Sequence, residues 1–195
     1  MHTDIILSGV GGQGILSIAT VIGATALKEG LFIKQAEVHG MSQRGGDVQS
    51  NLRISSEPIS SDLIPLGKAD LIISLEPMEA LRYLPYLKKE GWLITNSTPF
   101  VNVTNYPDSE AVIKTIKEMK NSIVIDVDSI AKEAGSQRSA NIVLLGAASP
   151  FLGLEIDKME DGVRMVFGRK GEDIVEMNLK AFRAGLEFAR QSIIK

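Results

Sequence analysis

The stretch from Asp4 to Ser17, DIILSGVGGQGILS, constrains the fold of this 195-residue chain more than any other. A short apolar run stops at a group of glycines, and apolar residues then resume with helical spacing. The glycines at positions 9, 11 and 14 have the spacing G-x-G-x-x-G, which is typical of a tight turn between a buried strand and a helix. Free N–H groups at the start of such a helix favour an anion, although the same spacing also fits a turn that binds nothing.

Apolar runs and amphipathic runs alternate along the first two thirds of the chain. The pattern predicts strands at 4–8, 32–38, 47–55, 69–75, 92–95 and 122–126, and helices at 13–29, 77–84 and 109–119. Nearly continuous apolar strands such as 4–8 are typical of a sheet that is covered on both faces. The strand at 47–55 instead alternates apolar and polar residues, which predicts a half-exposed, antiparallel strand at an edge of the sheet. The segment 97–108 is irregular, with at most one short edge strand.

From Asp128 onward the pattern is helical. A short helix is predicted to be capped by Asp128 or Ser129, and Asp157 with Glu160 has the spacing of a capping box for a later one. The last helix has the clearest stripe, with apolar residues from Val175 to Ile193 in steps of three and four. The prediction is one α/β domain spanning residues 1–195: a Rossmann-like three-layer fold with a mostly parallel, mixed sheet and a helical C-terminal third.

Composition narrows the classes of function. The net charge of -3, the absence of Lys/Arg runs and a pI near 5.5 argue against a sequence-independent nucleic-acid binder. The chain has no cysteine, so by itself it holds neither a disulfide nor a cysteine-ligated iron–sulfur cluster. No apolar stretch approaches the ~18 residues of a membrane span, and no basic segment precedes the first apolar run, so a cytoplasmic protein is expected.

No convincing catalytic group is found. Only His2 and His39 are available as histidine bases, and His39 with the neighbouring Ser42 is a weak candidate because adjacent loop residues seldom face each other. No spacing of His, Asp or Glu matches a metal motif. We therefore predict no catalytic residue and no metal ligand on this chain.

A second glycine-containing loop, residues 39–46, follows the second strand. It contains Arg44 followed by Gly45 and Gly46, and a guanidinium beside closely approaching backbone suits a phosphate or a carboxylate. We expect this loop at the same end of the sheet as the first glycine turn. Glu37 lies about 23 residues beyond the first glycine turn. In a dinucleotide-binding fold a carboxylate at this position bonds to the ribose hydroxyls, so NAD binding remains an alternative. A solvated carboxylate at a strand end is the simpler interpretation of Glu37.

Four motifs in order resemble the gamma subunit or domain of 2-oxoacid:ferredoxin oxidoreductases. They lie between about Ile5 and Phe188: GVGGQG at Gly9, RGG at Arg44 with RIS at Arg53, Asn141 with Leu145-Gly146, and Asn178 with Ala181-Phe182 and Gly185. Within that family, HGMSQRGG at His39 is most similar to the small, beta subunit of the indolepyruvate branch. From the residues alone, Asn178 and Gly185 are predicted to be a buried hydrogen-bonding group and a close-packing position.

The resemblance implies oxidative decarboxylation of a 2-oxoacid with coenzyme A, giving an acyl-CoA, carbon dioxide and reduced ferredoxin, with aryl pyruvates as substrates of the indolepyruvate branch. It implies thiamine diphosphate, magnesium and iron–sulfur clusters, carried by a large alpha subunit that passes electrons to ferredoxin. The present chain has no cysteine and no Gly-Asp-Gly segment for thiamine diphosphate. Binding and assembly are then its expected roles.

We predict that both glycine loops form a cleft for coenzyme A. The predicted contacts are Gly11, Gly12, Gln13, Gly14, Ser42, Arg44, Gly45 and Gly46. The same loops also suit binding of the partner subunit. Two alternatives from other classes are a free-standing NAD-dependent Rossmann enzyme and a regulatory domain that binds a nucleotide or coenzyme A.

Overall fold

A computed structural model describes residues 1–40, 45–101 and 103–193. Within them, six strands form one sheet, namely β1 (His2–Val10), β2 (Phe32–His39), β3 (Asp47–Ser55), β4 (Ala69–Ser74), β5 (Leu87–Asn96) and β6 (Ser122–Ile125). The α-helices are α1 (Ile15–Lys28), α2 (Pro77–Arg82), α3 (Ser109–Lys117), α4 (Val127–Glu133), α5 (Ala140–Ala148), α6 (Ile156–Phe167) and α7 (Glu172–Ile193). Each predicted strand and helix named above is found, with boundaries that move by a few residues.

The sheet is mixed, with the strand order β2-β3-β1-β4-β5-β6. Strands β1, β4, β5 and β6 are parallel, whereas β3 runs antiparallel to both β1 and β2. No strand follows β6 in the described residues, and the rest of that part of the chain is helical. The predicted α/β fold class, with its mixed sheet and helical C-terminal third, is confirmed.

The predicted edge position of β3 is wrong. The strand lies between β2 and β1, and β2 forms the edge. Polar residues of β3 have partners within the protein: the buried Asn51 accepts a hydrogen bond at Oδ1 from the Ile64 N–H at 3.1 Å, and the half-buried Arg53 is paired with Asp4. The alternation of apolar and polar residues in β3 therefore reflects polar side chains that are hydrogen-bonded within the protein, and not a face exposed to solvent.

Helices cover both faces of the sheet. The larger core lies under α1, α4, α5, α6 and α7, and includes Ile5 and Leu7 of β1. The smaller core lies on the opposite face under α2 and α3, and includes Ile6 and Ile72. Because α1 and α2 lie on opposite faces, the crossovers change sides between the adjacent strands β1 and β4, which is where open α/β sheets bind ligands.

Two glycines let α5 and α7 pack closely. A Cβ added at Gly146 would lie 1.9 Å from the Phe182 carbonyl oxygen, and one added at Gly185 would lie 1.9 Å from the Val143 carbonyl oxygen. Asn178 is 6% exposed and donates to the Ile174 carbonyl oxygen at 2.8 Å. The predicted roles of Gly185 and Asn178 are therefore confirmed.

Two local predictions, both of helix caps, are wrong. Helix α4 is capped by Asp126, whose carboxylate accepts from the Ser129 N–H at 3.0 Å, so neither Asp128 nor Ser129 is the cap. The Asp157–Glu160 capping box does not form, because α6 begins after Glu155 without a side-chain cap. Glu160 is instead paired with Arg183, whose Nε donates to it at 2.7 Å. The described residues of 97–108 contain no strand.

Candidate functional site at the carboxyl edge of the sheet

The first glycine turn joins β1 to α1 at the carboxyl edge of the sheet. Gly14 is the N-cap of α1 and has φ +91°, a left-handed conformation that glycine adopts without strain. A Cβ at Gly14 would lie 2.7 Å from the Asn141 side-chain nitrogen. That nitrogen donates to the Gly14 carbonyl oxygen at 3.0 Å, so the start of α5 is joined to the start of α1.

Gln13 holds the turn together. Its side-chain oxygen accepts from the Val10 N–H at 2.8 Å, and its side-chain nitrogen donates to the Leu75 carbonyl oxygen at 3.2 Å. The amide oxygen is thus bonded to the end of β1, and the amide nitrogen to the residue that follows β4. Of the residues predicted to contact coenzyme A, Gln13 has its side chain committed to the protein itself.

The second glycine loop contacts the first. The Gly11 N–H donates to the Gly46 carbonyl oxygen at 2.8 Å, and the Gly45 N–H donates to the Gly11 carbonyl oxygen at 3.4 Å. The Gly40 N–H donates to the Asp47 carbonyl oxygen at 2.9 Å, which closes the base of the loop. The expectation that both loops share one end of the sheet is confirmed. Ser42 and Arg44, predicted for the same cleft, lie outside the described residues.

The half-buried Asp47, at the base of the second loop, contacts the end of α2 and lies close to the buried Glu79. The Tyr83 hydroxyl donates to the Asp47 carboxylate at 2.9 Å. Burial, opposed by the hydrogen bond from Arg82 and reinforced by Asp47, raises the pKa of the neighbouring Glu79 to about 7. Burial and the Asp47 carboxylate also raise the pKa of Tyr83. Sequence reasoning missed this pair, since nothing in the spacing of Asp47 and Glu79 indicates that they meet.

Glu76 anchors the loop after β5 to the start of α2. It is 1% exposed, caps α2 by accepting from the Glu79 N–H at 2.7 Å, and accepts from the Phe100 N–H at 3.3 Å. The Tyr106 hydroxyl also donates to Glu76. Sequence reasoning missed Glu76 as well, although an acid directly before Pro77 has the pattern of an N-cap followed by proline at the first helical position.

An open cleft of about 400 Å³ lies between these loops, at the carboxyl ends of β1, β4 and β5. Its walls come from the first glycine turn, from the segment after β5, and from the starts of α4 and α5. They include Gly12, Gln13, Leu75, Asn96, Thr98, Pro99, Phe100, Val127, Asp128, Gln137, Arg138, Ala140 and Asn141. The cleft lies where the crossovers change faces, and its volume is in the range of small-molecule sites.

The position of Glu37 argues against a dinucleotide site. Glu37 lies on β2, and β3 separates β2 from β1. Two strand spacings put the β2 backbone about 10 Å from that of β1, instead of directly beside the glycine turn. Glu37 also contacts the His39 imidazole. Glu37 is thus a partly buried carboxylate, 18% exposed at its side chain, on the edge strand and not beside the glycine turn.

No catalytic constellation is seen around the cleft in the part of the chain that the structure describes. His39 is paired with Glu37, and His2 lies 3.1 Å from Asp4 near the opposite end of the sheet. Those residues also include no group of three His, Cys, Asp or Glu side chains that could hold a metal ion. None of their helices has the length and apolar character needed to cross a membrane.

Comparisons of sequence and of structure with known proteins agree on one family for this chain. The family described as pyruvate ferredoxin/flavodoxin oxidoreductase matches residues 4–188. The indolepyruvate oxidoreductase subunit IorB of Pyrococcus horikoshii is 37% identical over 200 residues, which cover 97% of each chain.

Two solved structures share the fold. The gamma subunit of a keto/oxoacid ferredoxin oxidoreductase from Geobacter sulfurreducens has a TM-score of 0.69 and 29% identity, covering 97% of this chain and 99% of its own. The 2-oxoglutarate:ferredoxin oxidoreductase of Magnetococcus marinus has a TM-score of 0.76 and 24% identity. This chain covers only 31% of that longer one, with 97% of its own length matched. The chain therefore belongs to the pyruvate ferredoxin/flavodoxin oxidoreductase family.

Proposed function

We propose that this chain is the small, non-catalytic subunit of a cytoplasmic, coenzyme A-dependent 2-oxoacid:ferredoxin oxidoreductase. Its substrates are indolepyruvate and related aryl pyruvates, which the complex decarboxylates oxidatively to acyl-CoA. The proposal of this substrate class is supported by the IorB relative, which matches over 97% of both chains. It is also supported by the motif HGMSQRGG at His39.

The redox chemistry belongs to a larger partner. Iron–sulfur clusters need thiolate ligands, and this chain has no cysteine. It also lacks a Gly-Asp-Gly segment of the kind that holds thiamine diphosphate through magnesium. The residues present therefore do not fit either group, and we assign both to a large alpha subunit that delivers electrons to ferredoxin.

The contact between the two glycine loops is the observation that carries the coenzyme A assignment. The hydrogen bond from Gly11 to Gly46 brings both loops over the start of α1 and beside the open cleft. The Gly12 and Gly14 N–H groups donate no hydrogen bond within the described residues, and α1 has no side-chain cap. Such N–H groups at a helix start bind phosphate oxygens well, which suits the diphosphate of coenzyme A. The Magnetococcus marinus enzyme, whose fold is similar, was solved with coenzyme A and succinyl-CoA bound.

Anaerobic purification of the tagged chain from its host is the first test. A brown complex with one large, cysteine-rich subunit, active on indolepyruvate only with coenzyme A, is the expected result. A colourless chain without a partner would contradict the proposal and reopen the alternatives of an NAD enzyme and of a stand-alone regulatory domain.

Arg44→Ala tests the cleft in the assembled complex. The KM for coenzyme A should rise far more than the KM for the oxoacid, because a lost phosphate contact affects only one substrate. Arg190→Ala, at the far end of α7, is the control and should change neither value. Equal increases in both KM values would count against the assignment of Arg44.

A second role of the same edge is assembly. Phe100, Val101 and Val103 are 44%, 66% and 45% exposed, and Phe100 lines the cleft. Glu76 fixes the loop through the Phe100 N–H and the Tyr106 hydroxyl, so these side chains are held outward on an anchored backbone. A cluster of exposed apolar side chains at the mouth of a cleft is a suitable contact for the partner that completes the active site.

A further inference from the structure

Strand β2 forms one edge of the sheet, and in the described residues no strand lies beside its outer side. Its pairing with β3 runs without a bulge from Phe32 to His39, and it contains no proline. Its one lysine, Lys34, donates to the Ser60 carbonyl oxygen at 3.2 Å and is thereby held against the chain. Bulges, prolines and free lysines are the usual protection of an edge strand, and an edge without them is a template for another strand.

Two apolar side chains of β2 are exposed on the same face of the sheet. Phe32 is 48% exposed and Val38 is 57% exposed, and an even number of residues separates their positions along the strand. Glu37, beside Val38, is paired with His39 of the same strand. A strand that pairs with this edge therefore has to bring apolar side chains to both exposed positions.

Helix α1 has an uncharged stripe next to the same edge. No residue from 15 to 27 is charged, and Leu16 and Leu27 are 48% and 62% exposed. At about 100° per residue the stripe lies between the side that meets β2, where a Cβ at Gly23 would lie 3.0 Å from Ile33 Cδ1, and the side that meets α6. Lys28, which follows the stripe, is paired with an acid of α6. The stripe consists of Leu16, Thr20, Ala24 and Leu27.

A second copy of this chain covers both surfaces at once. Two antiparallel β2 strands related by a two-fold axis perpendicular to the sheet keep each face of the sheet continuous, so the two α1 helices lie on the same face. Residues directly opposite each other then point to the same face, and the axis passes between one residue and its own copy. The side chains decide which residue that is.

One register matches the exposed side chains. With Gln35 at the axis, Phe32 lies opposite Val38 of the second copy, and Val38 lies opposite Phe32 of the second copy. Each exposed apolar side chain thus meets another, and the match occurs twice because the contact is symmetric.

The neighbouring registers fail. An axis at Lys34 or at Glu37 places two like charges directly opposite each other, which is destabilising. An axis at Ala36 places Phe32 opposite Gly40, which has no side chain to cover it. Charge and apolar pattern therefore select the same register.

We propose that two copies of this chain pair through the outer sides of their β2 strands, with Gln35 at the two-fold axis and the α1 stripes packed against each other. The two sheets then form one continuous sheet. Three strands separate β2 from β5, which precedes the exposed loop at Val101, so a second copy and the large subunit can bind at the same time. This inference goes beyond the proposed function and does not depend on it.

Charge substitutions at Gln35 test both the pairing and its register. Sedimentation velocity over a concentration series gives the molar mass of the full chain, and the wild type should be a dimer. Gln35→Lys and Gln35→Glu should each weaken dimerisation about tenfold, because each places like charges opposite each other at the axis. An equimolar mixture of the two variants should restore the dimer, because opposite charges then face each other.

Gln191→Lys and Gln191→Glu are the matched controls and should leave the dimer unchanged, because Gln191 is exposed on α7 and lies outside both surfaces. Thr20→Glu, on the α1 stripe, should weaken the dimer as the Gln35 variants do. The inference is overturned by a monomeric wild-type chain, by a dimer that the Gln35 variants leave intact, or by a mixture of those variants that stays monomeric. Gln35 variants that remain dimeric but lose the large subunit on purification would identify that subunit as the occupant of this edge and would also overturn it.

Discussion

The amino edge of the sheet and the cavity of about 650 Å³ at its carboxyl edge differ in how their cations are paired. At the amino edge, the Arg53 guanidinium bonds to both carboxylate oxygens of Asp4, at 2.8 and 3.0 Å, and to the carbonyl oxygens of Ser61 and Leu63. Asp70 accepts from the Asp4 N–H at 2.8 Å and is also paired with Lys88. At the carboxyl edge, Arg138 lacks any such partner within the described residues. A cavity at the amino edge is lined by both acidic and basic side chains. The charged side chains that line the larger cavity at the carboxyl edge are all basic.

This difference separates structural charges from charges that are available to a ligand. A buried ion pair with all its hydrogen bonds satisfied contributes to the fold and has nothing left to offer a substrate. A cation without a partner gains most from an incoming anion, because no existing contact has to be broken. The following substitutions test whether the amino edge supports stability and the carboxyl edge supports binding.

Arg53→Ala should have the largest effect on stability. It leaves Asp4, 5% exposed at its side chain, without its guanidinium partner and with only the exposed His2 beside it, so the free energy of unfolding should fall by about 3–5 kcal/mol. Denaturant titration measures this loss. Lys28→Ala breaks the exposed pair with Asp161 and should change stability by less than about 1 kcal/mol. Equal losses in the two variants would show that the amino edge has no special structural role.

Gly14→Ala should come next and should affect both stability and binding. A left-handed backbone costs a non-glycine residue about 1–2 kcal/mol, and the new Cβ would press on the Asn141 amide. We expect a lower free energy of unfolding together with weaker binding of coenzyme A. A variant with wild-type affinity would show that the turn geometry does not matter for the ligand.

Val101→Asp should weaken assembly with the large subunit about tenfold, since it places a charge in a predicted apolar contact. Leu66→Asp is a closely matched control, because Leu66 is 65% exposed and Val101 is 66% exposed. Leu66 precedes β4 and so lies at the amino edge of the sheet. Co-purification of the tagged variants with the partner is the measurement. Equal yields of complex from both variants would remove the carboxyl edge as the docking surface.

The smallest expected effect is the pH dependence that Glu79 causes. Its folded-state pKa of about 7 lies above the unfolded value of 4.5, so the folded state binds the proton more tightly. The contribution to stability is then full below pH 4.5 and is lost as the pH rises to about 7. Between pH 6 and pH 8 the loss should be about 1 kcal/mol. Thermal unfolding of Glu79→Gln, whose side chain does not titrate, should lack this slope; an identical slope would exclude Glu79 as its source.

Secondary structure was largely predictable because it depends on local patterns. The apolar run at 4–8 and the glycines after it predict β1, the turn and α1, and the stripe from Val175 to Ile193 predicts α7. Capping was less predictable. Asp126 and Asp128 are both acceptable caps by residue type, and only the backbone geometry selects Asp126.

The meeting of the two glycine loops was predictable because each loop directly follows a strand and both strands end at the same edge of the sheet. The contact between Gly11 and Gly46 follows from two loops at the carboxyl ends of strands. Nothing in the sequence indicated that Arg138 and Lys170 line a cavity, since a single cation in a polar segment usually lies on a solvent-exposed face. They line one cavity because the turn before α5 and the turn before α7 lie on the same side of the first turn of α1.

By itself, the sequence determined the elements, the glycine turn and the family to which the chain belongs, because these depend on residue types at short, fixed spacings. The tertiary structure alone decided that β3 separates β1 from β2, that the half-buried Asp47 lies beside the buried Glu79, and that a cavity lined by Arg138 and Lys170 adjoins the cleft. These features depend on contacts between residues far apart in the chain. Such contacts are selected by how the helices and the sheet bury their apolar faces, which no local pattern specifies.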